Sequence, residues 1–258
     1  MMKKILLVVI AFLFLVFFLV GLTQTSSTEK ISTQETKTVQ TQKNSNKKQQ
    51  DYIQAVSEIE TKRLSLASEY KKAQNETDKR ALIEKAKDVF VQSIHTELFH
   101  FWYGTDWDFY GTTEKPNQGK IACGYFVTTV LRDTGLKVNR VSLAQQASEN
   151  IIKSLTTETH IKRFRNVSIG KFVEEVKSLG AGIYVVGLDI HVGFIYHDGD
   201  EVYFIHSSYA EPYEVVKEKA ITSPILSGSK YRVVGKISAD NHLIIKWLNS
   251  EQIPTKKR

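Results

Sequence analysis

The sequence predicts an α+β domain in which helices pack on an antiparallel sheet. Apolar residues recur at helical spacing through the first part of the folding region, whereas after Gly180 the chain turns to short runs rich in Val, Ile and Tyr bounded by turn residues. Helices first and strands second is an α+β pattern, because parallel-sheet folds alternate the two. The composition agrees: 258 residues, 41% hydrophobic and 24% charged, leave one domain of ordinary size once the N-terminal segments are set aside.

Taken in order, Met1 to Lys4 form a short positive segment, and Ile5 to Leu22 is an unbroken apolar run. That pattern addresses a chain to the membrane and its export machinery. A cleaved signal peptide and a retained signal anchor both fit residues 1–22. The run exceeds the usual apolar core of a signal and is long enough to span a bilayer, and no A-x-A site follows it. With Lys3 and Lys4 held inside, everything after Leu22 is expected outside the cytoplasm, membrane-anchored or secreted. Residues 23–50 are Thr, Ser, Gln, Lys and Asn with few large apolar side chains, which predicts a disordered tether. Residues 51–99 read as a helical lead-in, with Leu82, Ala86, Val89, Phe90, Ile94 and Leu98 on an apolar face and a break at Gln74 to Asp78.

Residues 100–258 form the predicted main domain. Phe99 to Gly119 lacks a period and reads as an aromatic loop. Cys123 to Leu131 is an amphipathic helix stopped near Gly135, Ser142 with Gln145 is a capping-box signature for the next helix, and Phe172, Val173, Val176 and Leu179 mark a third, closed by Gly180. The strand runs are Ile183–Leu188, Ile190–Tyr196, Glu201–Ser207, a weaker one near Tyr213–Val216, and Tyr231–Ile237.

Composition also excludes functions. One cysteine rules out an intrachain disulfide framework and Cys-rich zinc sites. A net charge of +7 suits anionic surroundings, but no aromatic-basic run accompanies it, so no nucleic-acid partner is expected. There is no P-loop or dinucleotide fingerprint, and His95 and His100, five apart, do not make a metalloprotease helix. A zinc site from His191, His197 and His206 with Asp198 or Asp200 would leave Cys123 unused, so neither a metal nor a cofactor is expected. The sequence fixes no oligomeric state.

Two features remain. A hairpin loop centred between Asp198 and Gly199 sets His191 opposite His206, within reach of one hydrogen bond. Cys123, without a disulfide partner in the chain, stands where a loop becomes a helix N-terminus, and unpaired N–H groups there stabilise a thiolate or an oxyanion. A buried structural thiol and an intermolecular link are the other readings of a lone cysteine. A thiol, an imidazole that takes its proton and a polar group that orients that imidazole make a nucleophilic triad.

The segments Phe109-Tyr110-Gly111-Thr112, Ile121-Ala122-Cys123-Gly124-Tyr125-Phe126-Val127, His191-Val192-Gly193-Phe194-Ile195-Tyr196 and Tyr203-Phe204-Ile205-His206-Ser207-Ser208 resemble those of the NlpC/P60 papain-like cysteine peptidases of bacterial cell walls. The resemblance covers about Trp102 to Ile237. It implies a papain-like domain, with Cys123 as nucleophile, His191 as general base and His206 as the residue that orients it. It further implies an exported hydrolase that cleaves amide bonds in peptidoglycan stem peptides through an acyl-enzyme. Trp107 falls near the aromatic that such enzymes place beside the oxyanion, with Tyr103 and Tyr110 as rivals, and Gln118 stands where a papain-like oxyanion donor could stand. Two positions depart from the pattern: Ala122 replaces Asp and Gly124 replaces Ser around the nucleophile. These departures keep two alternatives open, a non-catalytic wall-binding or assembly module on the same fold and a thiol acyltransferase.

Overall fold

The computed structural model describes residues 46–257. The expectations for residues 1–45, the signal or anchor and most of the tether, lie outside them. Helix α1 covers 46–72, so the last five residues of the expected tether are helical. Gln and Lys there are good helix formers, and they continue into a face anchored by buried Tyr52, Ile59 and Leu66. Asn75 accepts from the Asp78 N–H and caps α2 (Glu76–Gln92), so the break falls at the polar stretch read from the sequence. A π-helical turn (Ser93–Leu98) carries α2 into α3 (Phe99–Trp102). The aromatic loop therefore starts only after Trp102. Phe99, Phe101 and Trp102 are core residues of a helix, which explains aromatics that a wet loop would not carry.

Helix α4 (Cys123–Asp133) is followed by β1 (Lys137–Val138), α5 (Arg140–Ala144), α6 (Ser148–Leu155), β2 (Ile161–Arg165) and α7 (Ile169–Ser178). The capping-box expectation at Ser142 is corrected: Asn139 caps α5 by accepting from the Ser142 N–H, and the helix breaks before Ser148 starts α6. Strands β3 (Gly182–Leu188), β4 (Val192–His197), β5 (Val202–Ser207) and β6 (Val215–Lys219) follow, then α8 (Pro224–Gly228), β7 (Tyr231–Gly235), α9 (Asn241–Asn249) and β8 (Gln252–Ile253). The α+β class holds, with β1, β2, α8, α9 and β8 added to the sequence reading. Strand β2, at the edge of the sheet, carries Lys162, Arg163 and Arg165 among its five residues, which hides its pairing with β7.

The main sheet runs β2-β7-β3-β4-β5-β6 with every neighbouring pair antiparallel. Both faces are covered. Ile183, Val185, Phe194, Ile205 and Val233 join the larger cluster with Phe90, Phe126, Ile152 and Trp247 of α2, α4, α6 and α9. Tyr184, Val186, Ile195, Phe204 and Val234 face the other way and pack with Phe172 and Val176 of α7 and Leu226 of α8. Double coverage makes all seven residues of β3 buried, so this strand reads as a continuous apolar run. Among the described residues no helix is long and apolar enough to cross a membrane.

Candidate active site

Cys123 is the first residue of α4, and its predecessor Ala122 is extended and supplies no side-chain cap. The first N–H groups of the helix are therefore not taken up by a capping side chain. The approach to this residue is fixed from three sides: Ala122 N–H donates to Gly111 O at 2.8 Å, Ile121 N–H to Asp106 O at 2.9 Å, and Ser207 Oγ to Ile121 O at 2.7 Å. Ser207 adjoins His206, so one hydrogen bond ties the Cys123 segment to the strand that carries an imidazole. Gly124 is a steric requirement: a Cβ there would run into the carbonyl oxygen of Ala144 at the end of α5. The serine of the motif that this segment resembles has no room here.

The thiol is half-exposed by residue, while its sulfur environment is largely enclosed. Burial pushes its pKa up, and the N–H groups of Val192, Gly124 and Cys123 itself, directed at the sulfur, offset only part of that. The resting group is a thiol. Val192 is the residue after His191, so the sulfur sits against the backbone that carries the second histidine.

The register of the β4–β5 hairpin corrects the sequence reading. Phe194 opposes Ile205 and Tyr196 opposes Tyr203, so the loop centres between Gly199 and Asp200, and the residue opposite His206 is Gly193. The shift is two residues, which preserves the face. His191 and His206 are diagonal neighbours instead of direct opposites, and His191 Nε2 lies 2.9 Å from His206 Nδ1. Gly193 makes this contact possible, because a Cβ there would lie 2.7 Å from the Phe204 ring and 2.8 Å from His206 Cβ. The His206 ring stacks on Phe204 with centroids 3.9 Å apart, and His191 meets Tyr209 edge-on at 5.1 Å. Burial, and then the neighbouring His206, hold the His191 pKa well below the usual imidazole value; burial lowers that of His206 as well, against the opposing pull of Glu218. Both rings are neutral at pH 7.

The other ring nitrogen of His191, Nδ1, is buried and has no hydrogen-bond partner among the described residues. Neither side chain of the Cys123–His191 pair hydrogen-bonds the other among the described residues. Beyond the pair, His206 Nε2 lies 3.2 Å from Glu218 Oε1, and Ser223 Oγ donates to the same carboxylate oxygen at 2.5 Å. Sequence reasoning missed Glu218, Ser223 and Ser207. The loop between β5 and β6 conceals the register that brings Glu218 beside His206, and no spacing rule could have found it.

The expected substrate-binding residues scatter. Trp107 is half-buried, bridges to Ile121 through the backbone and faces Tyr213 with ring centroids 6.5 Å apart. Tyr110 is 84% exposed and pairs edge-on with Phe109, which is exposed as well. Gln118 lies in a tight turn where its carbonyl accepts from Thr113 Oγ1, and its side chain makes no hydrogen bond. Asp189 ties the β3–β4 turn to β7 through Ser229 Oγ and the N–H groups of Lys230 and Tyr231. A cleft of about 390 Å³ opens beside His191, walled by Leu188, Ile190, Tyr209, Ala210 and Ile225. Among the described residues no group of three or more His, Cys, Asp and Glu side chains is arranged to hold a metal ion. Compared with protein-family models, with curated proteins and with solved structures, the chain matches none.

Proposed function

We propose that the chain is an exported cysteine hydrolase of papain-like, NlpC/P60-type architecture that cleaves amide bonds, with peptidoglycan stem peptides as the substrate class. The observation that carries the reading is a helix-start thiol lying against the Val192 N–H, next to a His191–His206 pair whose free acceptor, His191 Nδ1, is buried and unpartnered. The substrate class comes from the motif resemblance alone.

In this reaction the sulfur attacks the amide carbon as its proton passes to His191 Nδ1. The N–H groups at the start of α4 hold the oxyanion. The C–N bond breaks as the imidazolium returns that proton to the leaving amine, which leaves a thioester on Cys123. Water then gives a proton to His191 and attacks the thioester, releasing the acid and restoring the thiol. Residues 1–45 would place this domain outside the cytoplasm, tethered to the membrane or released.

The missing sulfur–imidazole hydrogen bond and the raised thiol pKa favour a second reading, a non-catalytic wall-binding module. Purified protein incubated with a thiol-directed electrophile and with cross-linked peptidoglycan separates the two. Stoichiometric labelling of Cys123 together with new amine termini in the muropeptides supports the hydrolase; binding to the wall with neither labelling nor cleavage supports the module. Product analysis with added amine acceptors tests the acyltransferase: transfer to amine in preference to water would replace hydrolysis.

A further inference from the structure

We infer that Glu218 is a positioning residue that sets the proton arrangement of the His191–His206 pair, and that Ser223 holds it in place. The inference deepens the proposed hydrolase reading and rests on it only for the chemistry at Cys123. From the residue before β4 across β5 to β6 the three side chains form a diagonal row on one sheet face: the β4–β5 register, continued by one residue, sets Gly193 opposite His206, and Phe204 opposes Glu218. Each hydrogen bond in the row joins a residue to a diagonal neighbour on the adjoining strand.

The proton positions follow by elimination. A carboxylate only accepts, so the contact between Glu218 Oε1 and His206 Nε2 requires the proton on Nε2. His206 is neutral, so its Nδ1 carries a lone pair, and the 2.9 Å contact to His191 Nε2 requires that nitrogen to be the donor. His191 is neutral too, which leaves its lone pair on Nδ1, the buried atom without a partner. A general base needs its lone pair at the nitrogen that receives the thiol proton.

Glu218 is itself constrained. Ser223 Oγ accepts from the Leu226 N–H at 3.1 Å, so its own proton points at the carboxylate. Burial pushes the Glu218 carboxyl up, but the hydrogen bonds from His206 and Ser223 outweigh this and keep it ionised. The groups facing the row are His191 with Tyr209 beside it, His206, Glu218 and, across the Val192 backbone, Cys123.

The test reads the tautomers directly. In full-length protein labelled with 15N-histidine, two-bond nitrogen–proton correlations should show His191 and His206 both protonated at Nε2. Glu218→Ala should convert His206 to a mixture of tautomers and lower kcat about 10- to 100-fold with little change in KM, in the range seen when an orienting partner is removed. Glu218→Gln, whose amide oxygen still accepts, should restore most of both signals, and Ser223→Ala should give a smaller loss of the same sign. Where Glu218→Ala fails to fold, Ser223→Ala and Glu218→Gln carry the test. Finding His206 protonated at Nδ1 in the wild type, or unchanged tautomers in a folded Glu218→Ala protein, overturns the inference. The tautomers as assigned with no hydrolysis of any amide would uphold the positioning role and remove the hydrolase reading.

Discussion

The two ends of the site are built to different tolerances. At the imidazole end, a row from His191 to Ser223 spans three neighbouring strands and the start of α8, with contacts of 2.9, 3.2 and 2.5 Å between successive partners. At the thiol end, Cys123 packs against the larger apolar cluster with backbone N–H groups directed at its sulfur, and the loop before it exposes Phe109 and Tyr110. The two rings are tied together and to β6 by side-chain contacts, whereas the Cys123 thiol is neutral and hydrogen-bonds neither of them among the described residues. In the proposed hydrolase this arrangement would hold the proton acceptor ready and leave attack geometry to be completed by the substrate, in keeping with apo sites whose reacting contacts tighten only on binding.

That contrast ranks the expected effects of substitution. Cys123→Ala removes the covalent route and should lower kcat by about 10⁴-fold or more while the thermal midpoint stays near wild type. Turnover close to wild type in the folded variant would take the thiol end out of the chemistry. On the imidazole side, His206→Ala should lower kcat by about 10²-fold with KM little changed, because it frees the base without touching substrate, and His206→Asn should recover part of the loss through an amide oxygen that can still accept. Equal, near-wild-type kinetics for both variants would mean that the row does not orient His191.

Stability gives two smaller readings. Gly124→Ser should cost about 1–3 kcal/mol by driving a side chain into the Ala144 carbonyl, measurable as a lower urea midpoint. A neutral result would show that α5 yields easily and that the thiol end is looser still. The last expectation concerns pH. His191 and His206 have folded pKa values below the ordinary 6.5, so below that pH the unfolded chain takes up protons that the folded chain does not. Their contribution is complete above about pH 6.5 and is lost as pH falls from there toward the folded values. Denaturation at pH 7.5 and 5.5 should show this loss in wild type and a smaller one in a His191→Gln, His206→Gln double variant; an equal loss would place the acid sensitivity elsewhere.

Much of this was legible in the sequence, in a way that depends on periodicity. Placing the hairpin centre one residue early displaced every pair across β4 and β5 by two, yet the two-residue repeat kept His191 and His206 on the same face. An error of one in the pairing would have separated them. The break before α2 was legible as the polar stretch Gln74 to Asp78, whereas the start of the helix after α4 was misplaced at Ser142, three residues past its actual cap Asn139. The Glu218 contact was not recoverable. It depends on how residues 208–214 return the chain to the sheet, and no local rule encodes the length of that excursion.

The position of β6 in the sheet has a further consequence, one of timing. Strand β6 is the last in its sheet; the loop over 104–107 covers it only at the Glu214–Val215 end, through the bonds of Gly104 and Val215, while Lys217 to Lys219 have a ladder partner on the β5 side only. Backbone held on one side opens in local fluctuations that cost less than unfolding the domain, whereas β3, buried along its whole length, opens only with the core. Amide hydrogens of residues 217–219 should therefore exchange with solvent far sooner than those of 183–187. The carboxylate at the end of the imidazole row would then come and go on the clock of an edge strand, while His206 sits one strand further in, where the backbone is paired on both sides.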